Sequence, residues 1–367
     1  MATIVDAGVS RLNQRNQAID ALRGIAVLLV LCRHYSPAMG FGWCGVDLFF
    51  VISGFLISGL LFSDHKKTGT IHAKRFWIRR GFKIYPAFYT LIVFTIVVFL
   101  LRAHTVPVAI LGDIFFLQNY LPKVWDHGWS LAIEEHFYLA LPLLFMLLAW
   151  LGKGKANPFR TVPLISVAVT IVCLFLRVRA SHHVADWDGI TQPTHLRLDT
   201  LFVGVAIGYY AHFDPVSFQE ARKKRVLVLG LLLALVSIVI PISVILGFTF
   251  ASVGFGCMVA WAANRSASKG RLVRLIAWIG YYSYSIYLWH AAVMLVFYRL
   301  PRFWILFPVF MVACVAVGVF AAKLIELPMI SIRDKVFPSI QDQRTRRKDP
   351  SPISTQGEAA EHVALGL

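Results

Sequence analysis

The sequence predicts an all-α integral membrane protein: a ten-transmembrane-helix bundle with both termini cytoplasmic and one short re-entrant segment. Three observations predict it. First, 58% of the 367 residues are hydrophobic and 15% charged, with a mean hydropathy of +0.68, whereas soluble chains run near 45–50% apolar and about 25% charged. Second, apolar runs of about 17–25 residues, the length of a crossing helix, recur along the whole chain. Third, Lys and Arg cluster in alternate gaps between those runs, as cytoplasmic loops require.

In chain order the spans fall near residues 19–36, 43–62, 84–101, 130–151, 162–177, 197–212, 226–246, 248–264, 278–298 and 304–325. Each must be a helix, because backbone exposed to lipid satisfies its hydrogen bonds only within a helix or a closed barrel. An eleventh apolar stretch, 106–118, is too short to cross and reads as re-entrant or interfacial. With both ends inside, 27 of the 36 basic residues fall in cytoplasmic segments and seven outside; Arg23 and Arg33 lie within the first span. Making 106–118 a crossing inverts every later loop and puts the basic ones outside. Three segments follow: a cytoplasmic N-terminus at 1–18, a transmembrane domain at 19–328, and a cytoplasmic, largely disordered tail at 329–367. The first span carries Arg23, Arg33 and His34 with no small-residue cleavage site after it, unlike a removable signal peptide.

The charge balance of +17 comes in short clusters with no zinc-finger spacing. It points to anionic lipid headgroups and a phosphorylated cofactor rather than to nucleic acid. Five cysteines without paired spacing, most of them inside apolar runs, predict neither a disulfide framework nor a metal site.

Ionisable residues within spans cost about 2.5–3.5 kcal/mol or more near a helix centre, so they mark candidate function. In the first span Arg23 and His34 are eleven residues apart, about 16 Å at 1.5 Å per residue. That puts Arg23 near the inner face and His34 near the outer one; snorkelling and interfacial placement are the bland alternatives. Asp47 opens the second span level with His34, where it either orients an imidazole or caps the helix. Arg79, Arg80 and Lys83 enter the third span. Arg80 and Lys83 share one face and either grip phosphates or serve only as a topological stop. In the fourth span Ser130 and Glu134, four apart, share a face that starts from the side of His34. A histidine, a carboxylate and a hydroxyl can thus meet as base, orienter and polar support. Arg197 and Asp199 are candidates to pair with each other, and His290 either lines the cavity or bonds a neighbouring helix.

The motifs in order are Asp20-x-x-Arg23 with His34 following, Gly45-Val-Asp47-Leu-Phe-Phe-Val-Ile-Ser53-Gly, Arg79-Arg80-x-x-Lys83-Ile-Tyr85-Pro86, Trp129-Ser-Leu-x-x-Glu134-Glu135-x-Phe-Tyr138, Arg197-Leu-Asp199 and Tyr284-Ser-Ile-Tyr287-Leu-x-His290. On these, over about residues 17–328, the chain resembles the membrane-bound acyltransferase 3 family of bacterial integral-membrane O-acyltransferases. The resemblance implies a plasma-membrane enzyme without a metal that takes an acyl group, most often acetyl from acetyl-CoA or another acyl-CoA, from the cytoplasm. It delivers the group to a hydroxyl of a carbohydrate or glycolipid acceptor outside. It places catalysis on His34, as general base or as an acylated carrier, to which the residues' own placement adds Glu134, Asp47 and Ser130 as support. It associates the basic pair Arg80 and Lys83 with the CoA end, to which Arg79 and Arg23 are added as cofactor-binding candidates. Lys83 stands where an arginine is usual, so charge is kept and bidentate gripping lost. Some relatives carry a fused extracytoplasmic hydrolase-like domain; this chain is expected to act alone or with a separate partner protein. A small-molecule acceptor such as a macrolide, and a proton-coupled transporter, are the competing readings.

Overall fold

The computed structural model describes residues 16–183, 187–239, 244–297 and 304–338, and among these every regular element is helical. The helices that matter are α1 (Gln17–Tyr35), α2 (Cys44–Thr68), α3 (Ala73–Ala103), α4 (Trp129–Leu151), α5 (Val162–Ser181), α6 (Leu198–Phe213), α7 (Lys224–Val239), α8 (Val244–Ala263), α9 (Arg271–Tyr281), α10 (Ser283–Phe297), α11 (Phe307–Ala321) and α12 (Leu327–Val336). Each of the ten stretches read as a span contains one of them. Six segments among the described residues are long and apolar enough to cross a membrane: Ala38–Thr68, Ala73–Ala103, Asp126–Leu151, Val162–Ser181, Ile245–Ala263 and Trp304–Val336. The remaining stretches hold α1, α6, α7 and α10. Of these α6, α7 and α10 are short, with 16, 16 and 15 residues, while α1 carries Asp20, Arg23 and Arg33.

Helix ends follow local chemistry. The Asn16 side chain accepts from the N–H groups of Ala18 and Ile19 at 3.0 and 3.1 Å and so caps α1. Gly69, at φ 77°, closes α2 in the left-handed conformation a Cβ disfavours. A π-turn, Ala322–Glu326, joins α11 to α12 in one continuous rod. That rod runs to Val336, into the segment read from sequence as a disordered tail; residues 339–367 and 1–15 lie outside the described ones.

The stretch 106–118 forms one five-residue helix, Ile110–Ile114, about 7.5 Å long at 1.5 Å per residue and unable to cross. Its loop is tied down by Asp113, which accepts from the Val124 N–H at 2.7 Å, and by Gln118, which donates to the Gly128 carbonyl at 2.8 Å. These bonds deliver His127 and Gly128 to the start of α4.

At the centre α2 packs on α6 at backbone contact. A Cβ on Gly54 would strike the Leu201 carbonyl, and one on Gly204 would strike that of Val51. Between helices in lipid this close approach replaces the hydrophobic effect as the source of association. It also fixes the heights of Asp47 on α2 and Asp199 on α6. All five cysteines are free thiols, and no group of three metal-ligating side chains occurs among the described residues.

Candidate active site

Three histidines from three elements meet at the C-terminal end of α1. His34 Nδ1 lies 3.1 Å from the Val30 carbonyl one turn back and 3.2 Å from His290 Nε2 on α10. The two rings are tilted by 40° with centroids 4.8 Å apart. His290 is fully buried, and its Nδ1 meets the Tyr287 carbonyl. His127, in the 3-10 turn before α4, packs edge-on against His290 at 4.9 Å. The Tyr287 hydroxyl donates to the His127 carbonyl at 2.8 Å and lies 2.5 Å from Ser130 Oγ. A phenol has one proton, so Ser130 donates to Tyr287. Ser130, whose Oγ is also 3.5 Å from the His127 carbonyl, thus supports the tyrosine and the turn that carries His127, not His34.

His34 opens on a cavity of about 290 Å³ that also touches Asp126, His127, Asp188, Gln192, Trp43 and Trp129. A second cavity of about 290 Å³ lies on the Arg23 side, with Arg23, Arg80 and Lys83 facing Glu134, Glu135 and Tyr138. Val46 and Tyr287 line both, so these two side chains stand at the boundary. In the second cavity Arg80 donates to the Tyr138 hydroxyl at 2.5 Å with its guanidinium 4.2 Å from the ring centroid. Tyr138 in turn lies 2.6 Å from Ser53 Oγ. Glu134 faces Arg80, Ser53 and Tyr138, and Glu135 accepts from Tyr85 at 3.1 Å.

Four sequence expectations are corrected by this geometry. Asp47 does not orient His34: it is wholly buried and ion-paired with Arg197, whose guanidinium sits 3.9 Å over Phe248. Arg197 and Asp199 do not pair with each other. Asp199 binds Arg177 at 2.6 Å, both fully buried, while Arg197, the non-helical residue that precedes α6, turns to Asp47 on α2. Glu134 does not reach His34. It sits one turn beyond Ser130, about 6 Å further along the axis, in the other cavity. Arg79 is turned away from both cavities and holds Asp334 of α12 at 3.0 Å and the Phe337 carbonyl, since adjacent helical residues diverge by 100° while Arg80 and Lys83, three apart, share the inward face. Arg23, 3.7 Å from Asp20, lines the Arg80 cavity as expected from its register. No role was given by sequence reasoning to His127, or to Tyr138 and Tyr287, although the two tyrosines stand in the motifs. The last two carried a signal, four residues after Glu134 and three before His290.

Apolar helices wrapped around two cavities that each hold charged side chains define a multi-pass membrane protein with a charged interior. The model of the acyltransferase domain family matches residues 16–325, and the chain belongs to that family. It is 29% identical over 308 aligned positions to the peptidoglycan O-acetyltransferase OatA of Listeria monocytogenes, covering 74% of this chain and 48% of the relative. It is 30% identical over 307 positions to a Staphylococcus aureus (strain COL) protein provisionally named an O-acetyltransferase, covering 75% of this chain and 50% of the relative. The chain therefore spans about half the length of the curated relatives it matches. No solved structure matches it.

Proposed function

We propose that the protein is a membrane-embedded O-acyltransferase that moves an acyl group, acetyl in the first instance, from cytoplasmic acyl-CoA to a hydroxyl of a carbohydrate acceptor on the outer side. The observation that carries this reading is the pair of cavities meeting at Val46 and Tyr287, one holding Arg23, Arg80 and Lys83, the other His34. In it the CoA phosphates take the cations of the first cavity, and the thioester extends toward the boundary. The acceptor enters the second, where Trp43 and Trp129 offer apolar faces and Asp126, Asp188 and Gln192 offer acceptors and donors for hydroxyls.

His34 Nε2 takes the proton of the acceptor hydroxyl, and the oxygen attacks the thioester carbonyl carbon. The C–S bond breaks, and the departing CoA thiolate recovers the proton from His34. Direct transfer needs no acyl-histidine, and the hydrogen bond at His34 Nδ1 suits a base. The topology belonging to this reading is ten crossings of the bacterial plasma membrane with both ends cytoplasmic, basic loops against anionic lipid. The names of the relatives favour a peptidoglycan or other surface glycan as acceptor, delivered alone or with an extracytoplasmic partner.

The test is mass spectrometry and base-labile acetate of envelope glycans from cells with and without the protein. A lost acetyl mass is expected. His34→Ala should remove it at unchanged protein level in the membrane; acetylation at the wild-type level in that variant eliminates the base.

A further inference from the structure

We propose that His290 is the positioning residue of His34: its bare Nε2 accepts the His34 Nδ1–H and leaves His34 Nε2 as the basic atom facing the outer cavity. This rests on the reading of His34 as base.

The protons on the two rings can be counted from their partners. A carbonyl oxygen only accepts, so the His290 nitrogen bonded to the Tyr287 carbonyl, Nδ1, carries a proton. A neutral imidazole has one, which leaves His290 Nε2 as a lone pair. The atom 3.2 Å from that lone pair, His34 Nδ1, must then be the donor. The Val30 carbonyl, 3.1 Å from the same Nδ1, independently requires a proton there. Three contacts agree on one tautomer for each ring: Tyr287 C=O, His290, His34, with every Nδ1–H pointing down the chain.

The consequence is electrostatic. When His34 takes the acceptor's proton, its ring becomes cationic and the Nδ1–H bond to His290 becomes charge-assisted, so it strengthens as the charge develops. The logic is that of a catalytic triad's third member, with a neutral imidazole in place of a carboxylate. Asp126 and Asp188 are the acidic side chains on the His34 cavity; the carboxylates expected from sequence, Asp47 and Glu134, are committed to Arg197 and to the other cavity. His127 braces the far edge of His290 at 4.9 Å, and the fully buried His290 ring has no room to rotate out. Removing the Nε2 acceptor leaves the Val30 carbonyl, already engaged by its own helix, as the remaining partner of Nδ1–H.

Two measurements test this on the full chain in lipid. In the first, ¹⁵N-histidine NMR with assignment by loss of signal in His290→Gln should show His290 with Nδ1 protonated and Nε2 bare; a protonated Nε2 overturns the proposal whatever the acceptor is. In the second, base-labile envelope acetate is compared at equal membrane protein. His290→Leu keeps bulk and removes the acceptor, and should lower transfer about tenfold or more. In His290→Gln the amide oxygen reaches the place of Nε2 and should restore most of it, whereas His290→Asn, reaching only the place of Nδ1, should not. Leucine acting as well as histidine, or glutamine failing as badly as leucine, overturns it. Full transfer by His34→Ala overturns instead the reading of His34 as base, and the NMR arm still decides the hydrogen bond.

Discussion

At the scale of single residues, the most deeply buried charges are held in ion pairs, and of these Arg197 also reaches the wall of the His34 cavity. Asp47, Arg177, Arg197 and Asp199 are all essentially inaccessible, and their two crossed ion pairs tie α2 to α6 and α5 to α6. Removing one partner of such a pair strands a buried charge, at about 3–5 kcal/mol, whereas replacing both with apolar residues of similar size is often neutral. Arg197→Met alone should therefore lower the thermal midpoint of the detergent-solubilised protein sharply, and Asp47→Leu/Arg197→Met should recover much of it. A double variant no better than the single one excludes the ion pair as the cause. The sequence made Asp47 and Arg197 visible as charges where lipid forbids them, but could not reveal their pairing, which depends on the α2–α6 contact made 150 residues apart. His290 was similarly visible as an intramembrane histidine; its partner, 256 residues away, was not.

Among elements, α3 shows how one helix serves two surfaces. Its basic run reads as one cluster in sequence, yet the 100° turn per residue sends Arg79 to α12 and Arg80 to the cavity. Arg80→Ala is accordingly expected to raise the KM for acetyl-CoA more than Lys83→Ala, because Arg80 presents a fixed guanidinium and Lys83 a point charge. Arg79→Ala is expected to leave that KM unchanged while loosening the α3–α12 contact, seen as faster proteolysis near Val336. A donor KM raised equally by Arg79→Ala and Arg80→Ala contradicts the assignment of Arg79 to the helix contact. Spacing of three and four along a helix thus located Arg80, Lys83 and the Ser130 to Tyr138 face. It failed where a side chain's height mattered, as for Glu134, since periodicity gives direction around an axis but not the depth of the neighbouring helix.

For the molecule as a whole, hydropathy located a helix in each of the ten stretches read as spans, because it follows from the cost of exposing backbone to lipid, but it gave neither α9 nor α12 as a helix of its own. Which helices cross is a separate matter: α1 carries Asp20, Arg23 and Arg33, and α6, α7 and α10 are short, so six segments rather than ten satisfy length and composition alone. A helix shielded by neighbours need not meet lipid along its whole length, and α6, packed at backbone contact against α2, is such a helix. Ten crossings make Gly69, Gly154 and Ser268 cytoplasmic and Thr105 external, whereas a count that omits α6 places Gly154 and Ser268 on opposite sides. Single cysteines at these four positions in a chain lacking its own five should then react with an impermeant maleimide in intact cells only at 105, and at the other three only after the membrane is opened. Labelling of position 268 in intact cells while 154 stays protected removes one crossing between them, and with it the cytoplasmic placement of every later basic loop.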